Sequence, residues 1–507
     1  MPGNAKRPIR ARIRDEFGKL KTPPEETSQF TRLGDGGPAG LVLILGLGPQ
    51  LEHAASLVPK DRPAAFIEAP DFKVQMPDSW TESIPKHWRE ISPKDLNEEL
   101  VSQAEIFVYT PGIRLFPSFW GPILGQCQWT KTAMPGPAVR ENSVFLAGAK
   151  DDLLIPEMSR AFTEAGLEVR LLDPEKISKE LPKLLSQGRP KLFFSINFKG
   201  LDPYGEIFHL LNKAGVPVAA WCVDNPFHLI SGLKSGFWQK AHLFVTDASF
   251  LGALSQHKAE YVHALPLATD PKLFESPKPS GEPGLSGRVV FVGRSEFPQK
   301  QKFFAGCKVP KELLAKAGEM LGQGLRPDFS WWEKALGLKS LWPGNRVRQA
   351  GYGAEQCSHA HRTLCLREAS ALPLTIFGDE AWKELLPEVS DIRGCVDYYG
   401  PLPGIYHEAS FVLNVTSLLL PAGLTQRHFD VWTAGGFLVT DATPGLEIFP
   451  KDLVREISFR RASDIMGLVS KLESEKGLQE DLRNAWRGLV LSEHTYKQRV
   501  ERVLDRL

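Results

Sequence analysis

Short, largely apolar runs recur along this chain, and stretches with helical spacing follow them. Leu41 to Leu45 is the first such run, and Ala64 to Ile67 is the second. Val144 to Ala147, Val169 to Leu172, Leu192 to Ile196, Val216 to Cys222 and Leu243 to Thr246 continue the series. Arg288 to Gly293, Leu374 to Phe377, Phe411 to Val415 and Phe437 to Val439 complete it. Such runs predict buried strands of a parallel sheet. The intervening segments predict helices: Leu51 to Leu57, the stripe of Leu154, Met158, Ala161, Phe162 and Ala165, Tyr204 to Ala214, and Ile405 to Ala409. Residues 296–370 are charged and mainly helical in pattern, as is the chain from Ala462 to Leu507. Strands alternating with helices predict an α/β fold built on doubly wound, Rossmann-like parallel sheets. No internal repeat is present.

A chain of 507 residues is too long for one core, so two to four domains are expected. Composition shifts divide it into a flexible lead (1–38), containing the turn-forming run Gly34, Asp35, Gly36, Gly37 and Pro38, and an N-terminal Rossmann-like domain (39–139). A second α/β lobe (140–275), a Pro/Gly/Ser-rich linker (276–287), a third lobe (288–475) and terminal helices (476–507) follow. Ligands of such sheets bind at the carboxyl ends of the strands, so a cleft between two of them is the expected site. The balance of 61 basic and 60 acidic residues offers no electrostatic footprint for nucleic acid. The N-terminal MPGNAKRPIRARIRDEF is basic without an apolar core, and no run is long enough to span a bilayer. Six scattered cysteines fit a reducing compartment. A cytoplasmic location is expected, with peripheral contact with a membrane left open.

The chemistry concentrates in residues 423–441, GLTQRHFDVWTAGGFLVTD. Thr425 is the expected N-cap of a short helix, and Gly435 and Gly436 its stop before a buried strand ending in Asp441. Arg427 stands in the first turn, where the helix dipole disfavours a cation unless an anion is bound there. Asp430, three residues on, can accept hydrogen bonds from sugar hydroxyls beside such a phosphate. The competing reading is an Arg427–Asp430 ion pair on an exposed face. Gly293 follows a strand and lets a phosphate approach the backbone, and Arg294 adds charge, although a plain βα turn reads the same.

Gly46, Leu47 and Gly48 with Glu68 about 20 positions on resemble a dinucleotide fingerprint without its third glycine. They read as a structural Rossmann turn or as a methyltransferase or dehydrogenase site. Cys357, His359, His361 and Cys365 lie on a predicted helix, where residues 357 and 365 stand about 12 Å apart at 1.5 Å per residue. That is too far for one zinc, so a polar helix face is expected. Trp331, Trp332 and Trp342 either stack on a sugar or anchor the helical insert.

Several motifs, in this order, resemble the CgeB-like glycosyltransferases, a bacterial group related to the large GT-B families. They are Phe291 to Gly293, Tyr399 to Pro401 with Ile405 and Tyr406, and Leu413 to Val415. Arg427, Phe429 and Asp430 follow, then Ala434 to Phe437, Thr440 with Asp441, and His494 to Tyr496 with Arg499. Upstream, Trp221 to Pro226, Thr246 with Asp247, Leu265 to Ala268 and Asp270 with Pro271 resemble the companion lobe. The resemblance covers roughly 190–507. It implies a GT-B pair of Rossmann-like lobes facing a cleft, a nucleotide-diphosphate sugar as co-substrate, and no metal or other cofactor. It implies a donor site of Gly293, Arg294, Thr425, Gln426, Arg427, Asp430, Gly435 and Gly436, with Asp430 on the ribose. Ala422 stands where retaining relatives carry a second acid near the donor sugar.

An inverting transfer needs a general base, and Asp224, at a strand end before Pro226, is the expected one unless it serves only an Asx turn. His228 and Asp247 are the alternatives. The resulting expectation is a hexosyltransferase-like, metal-independent glycosyltransferase acting on a protein or cell-envelope acceptor. A nucleotide-sugar isomerase or hydrolase, and a non-catalytic sugar-binding protein, are the competing readings.

Overall fold

A computed structural model describes residues 10–34, 40–132, 141–297 and 299–507. The first sheet contains β1 (Phe30–Leu33), β2 (Val42–Leu45), β3 (Ala64–Ile67), β4 (Arg89–Glu90) and β5 (Glu105–Tyr109), in the order β1-β5-β2-β3-β4. All its pairings are parallel except β1 with β5. The sequence placed Phe30–Leu33 in a flexible lead. It is an edge strand, half-buried at Phe30 and Leu33 and exposed at Thr31 and Arg32. The remainder of the turn-forming run, Asp35 to Pro38, lies outside the described residues.

A second sheet holds β6 (Ser143–Ala147), β7 (Glu168–Leu172), β8 (Leu192–Ile196), β9 (Val218–Cys222), β10 (His242–Val245) and β11 (Tyr261–Ala264), in the order β11-β10-β9-β8-β6-β7. The third holds β12 (Val289–Val292), β13 (Leu374–Phe377), β14 (Asp391–Arg393), β15 (Phe411–Asn414), β16 (Leu438–Asp441) and β17 (Ser458–Phe459). Its order is β14-β13-β12-β15-β16-β17, with every pairing parallel. The runs VVFV, LTIF and FVLN are buried almost throughout, as strands covered by helices on both faces must be.

The chain divides into two compact units, one of Met1–Lys150, Leu167–Ala220 and Gly232–His242, the other of Asp151–Gly166, Trp221–Ser231 and Leu243–Leu507. The core of the first gathers on the first sheet, around Phe72, Trp80 and Trp120. In the second unit α1 (Pro226–Ile230), α2 (Val347–Ala369), α3 (Arg427–Thr433), α4 (Lys476–Glu493) and α5 (Tyr496–Leu504) matter for the site. Trp432 of α3 stacks on Trp486 of α4 at 5.2 Å and 4° between ring planes. Arg499 of α5 is fully buried and donates to the carbonyls of Pro266, Leu267 and Glu493, which ties the C-terminal helix down.

Residues 276–287, expected as an interdomain linker, are pinned to this second unit. Glu408 accepts hydrogen bonds from the Ser280 amide and hydroxyl at 2.7 and 2.5 Å, and Arg393 pairs with Glu282 at 3.0 Å. Pro/Gly-rich composition marks the absence of regular structure, not the absence of contacts. Among the described residues no helix is long and apolar enough to cross a membrane.

Candidate functional site

The carboxyl ends of neighbouring β12 and β15 open into a cavity of about 660 Å³ in the second unit. Gly293, Arg294, Glu296 and Phe297 line it after β12, and Val415, Ser417, Leu419 and Leu420 after β15. Thr425 and Arg427 form a further part of the wall, α2 contributes Glu355 and Arg362, and the start of α1 contributes Asp224, Asn225, His228 and Leu229. Six of the eleven residues expected at the site therefore meet here: Asp224, His228, Gly293, Arg294, Thr425 and Arg427.

Asn414, buried at the end of β15, positions the arginine. Its Oδ1 accepts from Arg427 Nη1 at 3.0 Å and from the Thr425 hydroxyl at 3.1 Å, while its Nδ2 donates to Thr440 at 3.0 Å. Arg427 Nη2 donates to the Val292 carbonyl. Nε of Arg427 is buried without a hydrogen-bond partner. Arg427 also lies over the Phe291 ring, 6.0 Å from its centroid. A Cβ on Gly293 would stand 3.4 Å from Arg427 Nη2, so bare Cα surface suits the guanidinium here. The Gly293 amide itself donates to Phe377 at 2.9 Å and belongs to the sheet, so it is not free to cradle a phosphate as the sequence suggested.

Other expectations change. Gln426, not Thr425, is the N-cap of α3, because the Thr425 hydroxyl is drawn to Asn414 and His428. Arg427 and Asp430 do not form the surface ion pair. Asp430 is buried, receives the Tyr398 hydroxyl on Oδ2 at 2.9 Å, and is not among the residues lining the cavity. Burial pushes its pKa well above the usual carboxylate range. Gln426, Gly435 and Gly436 are outside the cavity as well. Gly435 ends α3 at φ +77°, and a Cβ on Gly436 would meet the Tyr406 carbonyl at 2.3 Å. Both glycines serve the helix stop and the packing behind it.

On the α1 side, the capping is done by Asn225, which accepts from the Phe227 and His228 amides and donates to the Leu419 carbonyl at 3.0 Å. Asp224 is exposed beside it. His228 is enclosed by Phe303, Phe304 and Phe329, and burial lowers its pKa to about 3. It is neutral at physiological pH and a weak proton acceptor. Asp247 is buried and holds the loop that follows β15, accepting from the Ala422 amide at 2.9 Å. It does not line the cavity.

Sequence reading missed Arg362 and Glu355. Arg362 donates to the carbonyls of Arg294 and Ser295 at 2.9 and 2.7 Å, which fixes the loop after β12. Burial lowers its pKa, with Arg427 acting in the same direction and Glu355 opposing. Three guanidiniums, Arg294, Arg362 and Arg427, thus face one cavity. The only signal in the sequence was their spacing: residues 355 and 362 are two turns apart on one helix face.

The predicted polar face of Cys357, His361 and Cys365 is buried instead, because α2 packs into the unit. His361 lies 3.7 Å from Asp441. Trp332 is buried against α2, its Nε1 3.4 Å from Cys357 Sγ, and takes the anchoring role. In the first unit Glu68 accepts from the Leu47 and Ala69 amides at 2.7 and 2.8 Å, and burial raises its pKa to about 7. Cβ atoms on Gly46 and Gly48 would come within 3.1 and 3.2 Å of Tyr109. The fingerprint's acid and glycines are occupied by their own turn, which favours the structural reading over a dinucleotide site.

Residues 358–505, which include part of α2 and all of α3, match a protein family described as Glycosyl transferase-like. No curated protein matches the chain. Among solved structures, the Anabaena HepE protein in complex with UDP-glucose is 10% identical, with a TM-score of 0.42 over 72% of this chain and 100% of that one. A glycosyltransferase from Rickettsia africae is 9% identical, with a TM-score of 0.41 over 72% of this chain and 97% of that one. A UDP-forming α,α-trehalose-phosphate synthase from Burkholderia vietnamiensis is 11% identical, with a TM-score of 0.36 over 92% of this chain and 99% of that one. Superpositions this loose say nothing of which residues bind what.

Proposed function

We propose that this protein is a glycosyltransferase of the CgeB-like kind, with a GT-B arrangement in which residues 288–475 form the donor lobe. It transfers a sugar from a nucleoside-diphosphate donor to a protein or cell-envelope acceptor in the cytoplasm. The observation that carries the reading is Arg427. Its guanidinium is locked by Asn414 and Val292 into the cavity wall, yet keeps Nε buried and unpartnered. A buried donor left unmade costs about 1–3 kcal/mol, which an anionic ligand recovers. Arg294 and Arg362 line the same cavity, so a doubly charged diphosphate fits it better than a single carboxylate. Charge developing on the departing diphosphate is then stabilised by guanidiniums, without a metal. Leu229, Phe297, Leu419 and Leu420 offer apolar surface to the rest of the donor, and the exposed Asp224 lies where an acceptor can approach. The match of residues 358–505 to a glycosyl transferase-like family supports transfer over simple binding.

A thermal-shift screen with UDP, GDP, ADP, UDP-glucose, GDP-mannose and ADP-glucose tests the reading. A ligand at 100 times its Kd stabilises the native state by about 2.7 kcal/mol, enough to raise the melting temperature. If none of the six moves it, the nucleotide-sugar reading fails.

A further inference from the structure

Glu355 is the acid of the cavity that the proposed function leaves without a task. It is 2% exposed, and its Oε1 has no hydrogen-bond partner. Its place depends on a close approach of α2. Gly351 lies one turn earlier on the same helix, and a Cβ there would stand 2.1 Å from His228 Nε2. Glycine inside a helix is destabilising relative to alanine, and here it lets α2 lie against His228. Arg362, two turns beyond Glu355, holds the loop that carries Gly293 and Arg294. One helix face thus aims a carboxylate and a guanidinium at the same space.

The other proton acceptors of the cavity are differently placed. Glu296 is held by Lys300 at 3.0 Å, Asp224 is exposed, and His228 binds a proton only near pH 3. Burial raises the pKa of Glu355, and Glu296 adds to the rise, while Arg362, Lys300 and the backbone amide of Phe297 oppose it. A base works best when its pKa approaches the working pH.

We propose that Glu355 is the general base of the transfer, an inference that rests on the glycosyl-transfer reading above. The acceptor hydroxyl oxygen forms its bond to the anomeric carbon of the donor sugar. The bond from that carbon to the diphosphate oxygen breaks, and the electron pair leaves with the diphosphate, facing Arg427, Arg294 and Arg362. The acceptor's proton passes to the Glu355 carboxylate. The products are the glycosylated acceptor and a nucleoside diphosphate, and the protonated carboxyl returns its proton to solvent.

The test uses the full chain with UDP-glucose, GDP-mannose and ADP-glucose, with water as acceptor and nucleoside diphosphate release as the readout. Glu355→Gln should lower kcat by about 100-fold or more. It should leave nucleoside diphosphate affinity within twofold, and the acidic limb of the kcat/KM profile should vanish. Glu355→Asp should keep part of the rate and a displaced limb. Wild-type rate and pH profile in Glu355→Gln overturn the proposal. So does a fall in kcat matched by equal losses of affinity and melting temperature, which marks a structural role. Loss of the limb in Asp224→Asn, with Glu355→Gln retaining it, assigns the base to Asp224 and overturns it too. Wild-type protein that binds no nucleoside diphosphate fails earlier, at the glycosyl-transfer reading itself.

Discussion

Replacing Arg427 by methionine removes the guanidinium and keeps much of the side chain's length. In the native protein Asn414 and the Val292 carbonyl take one N–H of Nη1 and one of Nη2, so the other N–H groups of the guanidinium remain for a ligand. One charge-assisted hydrogen bond to a phosphate is worth about 1.5–3 kcal/mol. At 1.4 kcal/mol per factor of ten, Arg427→Met should weaken nucleoside diphosphate binding about 10- to 150-fold. The two internal hydrogen bonds are lost as well, at about 0.5–1.5 kcal/mol each, so a modest fall in melting temperature accompanies the change. Calorimetric titration of UDP, GDP and ADP into the folded variant measures the first effect, and a thermal scan the second. Asp430→Asn is the control. Asp430 is buried on Tyr398 and lines no part of the cavity, so this variant should bind within twofold of wild type. A folded Arg427→Met protein with unchanged affinity refutes the diphosphate assignment. Weakened binding in Asp430→Asn alone would restore the ribose role read from the sequence.

Gly351→Ala replaces glycine with the best helix former, a gain of about 1 kcal/mol if space allowed it. The predicted contact with His228 reverses the sign: overpacking should destabilise by about 1–3 kcal/mol, seen as a lower denaturant midpoint. A raised midpoint would mean the close approach is not needed. Asp441→Asn tests the buried pair at the end of β16. Burial alone would raise the pKa of Asp441, but Arg326, with His361 and Thr416, holds it well below the usual carboxylate range. Its contribution is therefore complete above the unfolded pKa of about 3.9 and is lost as pH falls towards the depressed folded value. Asp441→Asn should cost about 3–5 kcal/mol at neutral pH, and the gap to wild type should close on acidification. A gap that stays constant down to pH 2 contradicts the pairing.

The parallel strands were legible because burial on both faces writes itself as an apolar run, as in Val42–Leu45 and Val289–Val292. Edge strand Phe30–Leu33 was not, since its pattern matches any polar segment until Glu105–Tyr109 pairs with it. Arg427 was legible because a cation in a first helical turn is anomalous locally. Asp430 was misplaced. Spacing along a helix sets its angular position, but not whether that side faces the cavity or Tyr398.

The sequence by itself determined the α/β class, the strand ends from which a site can be built, and the presence of an arginine in a first helical turn. Only the tertiary structure decided what meets there. Asn414 turning Arg427 inward, Arg362 clamping the β12 loop and Glu355 facing the cavity are contacts between elements that lie 13 to 68 residues apart or on separate walls. Local propensity and periodicity act over a few residues, so they set elements and faces. Which faces share a cavity depends on how helices pack across a sheet, and in α2 that rests on missing Cβ atoms, at Gly351 against His228 and at Gly353 against Trp332.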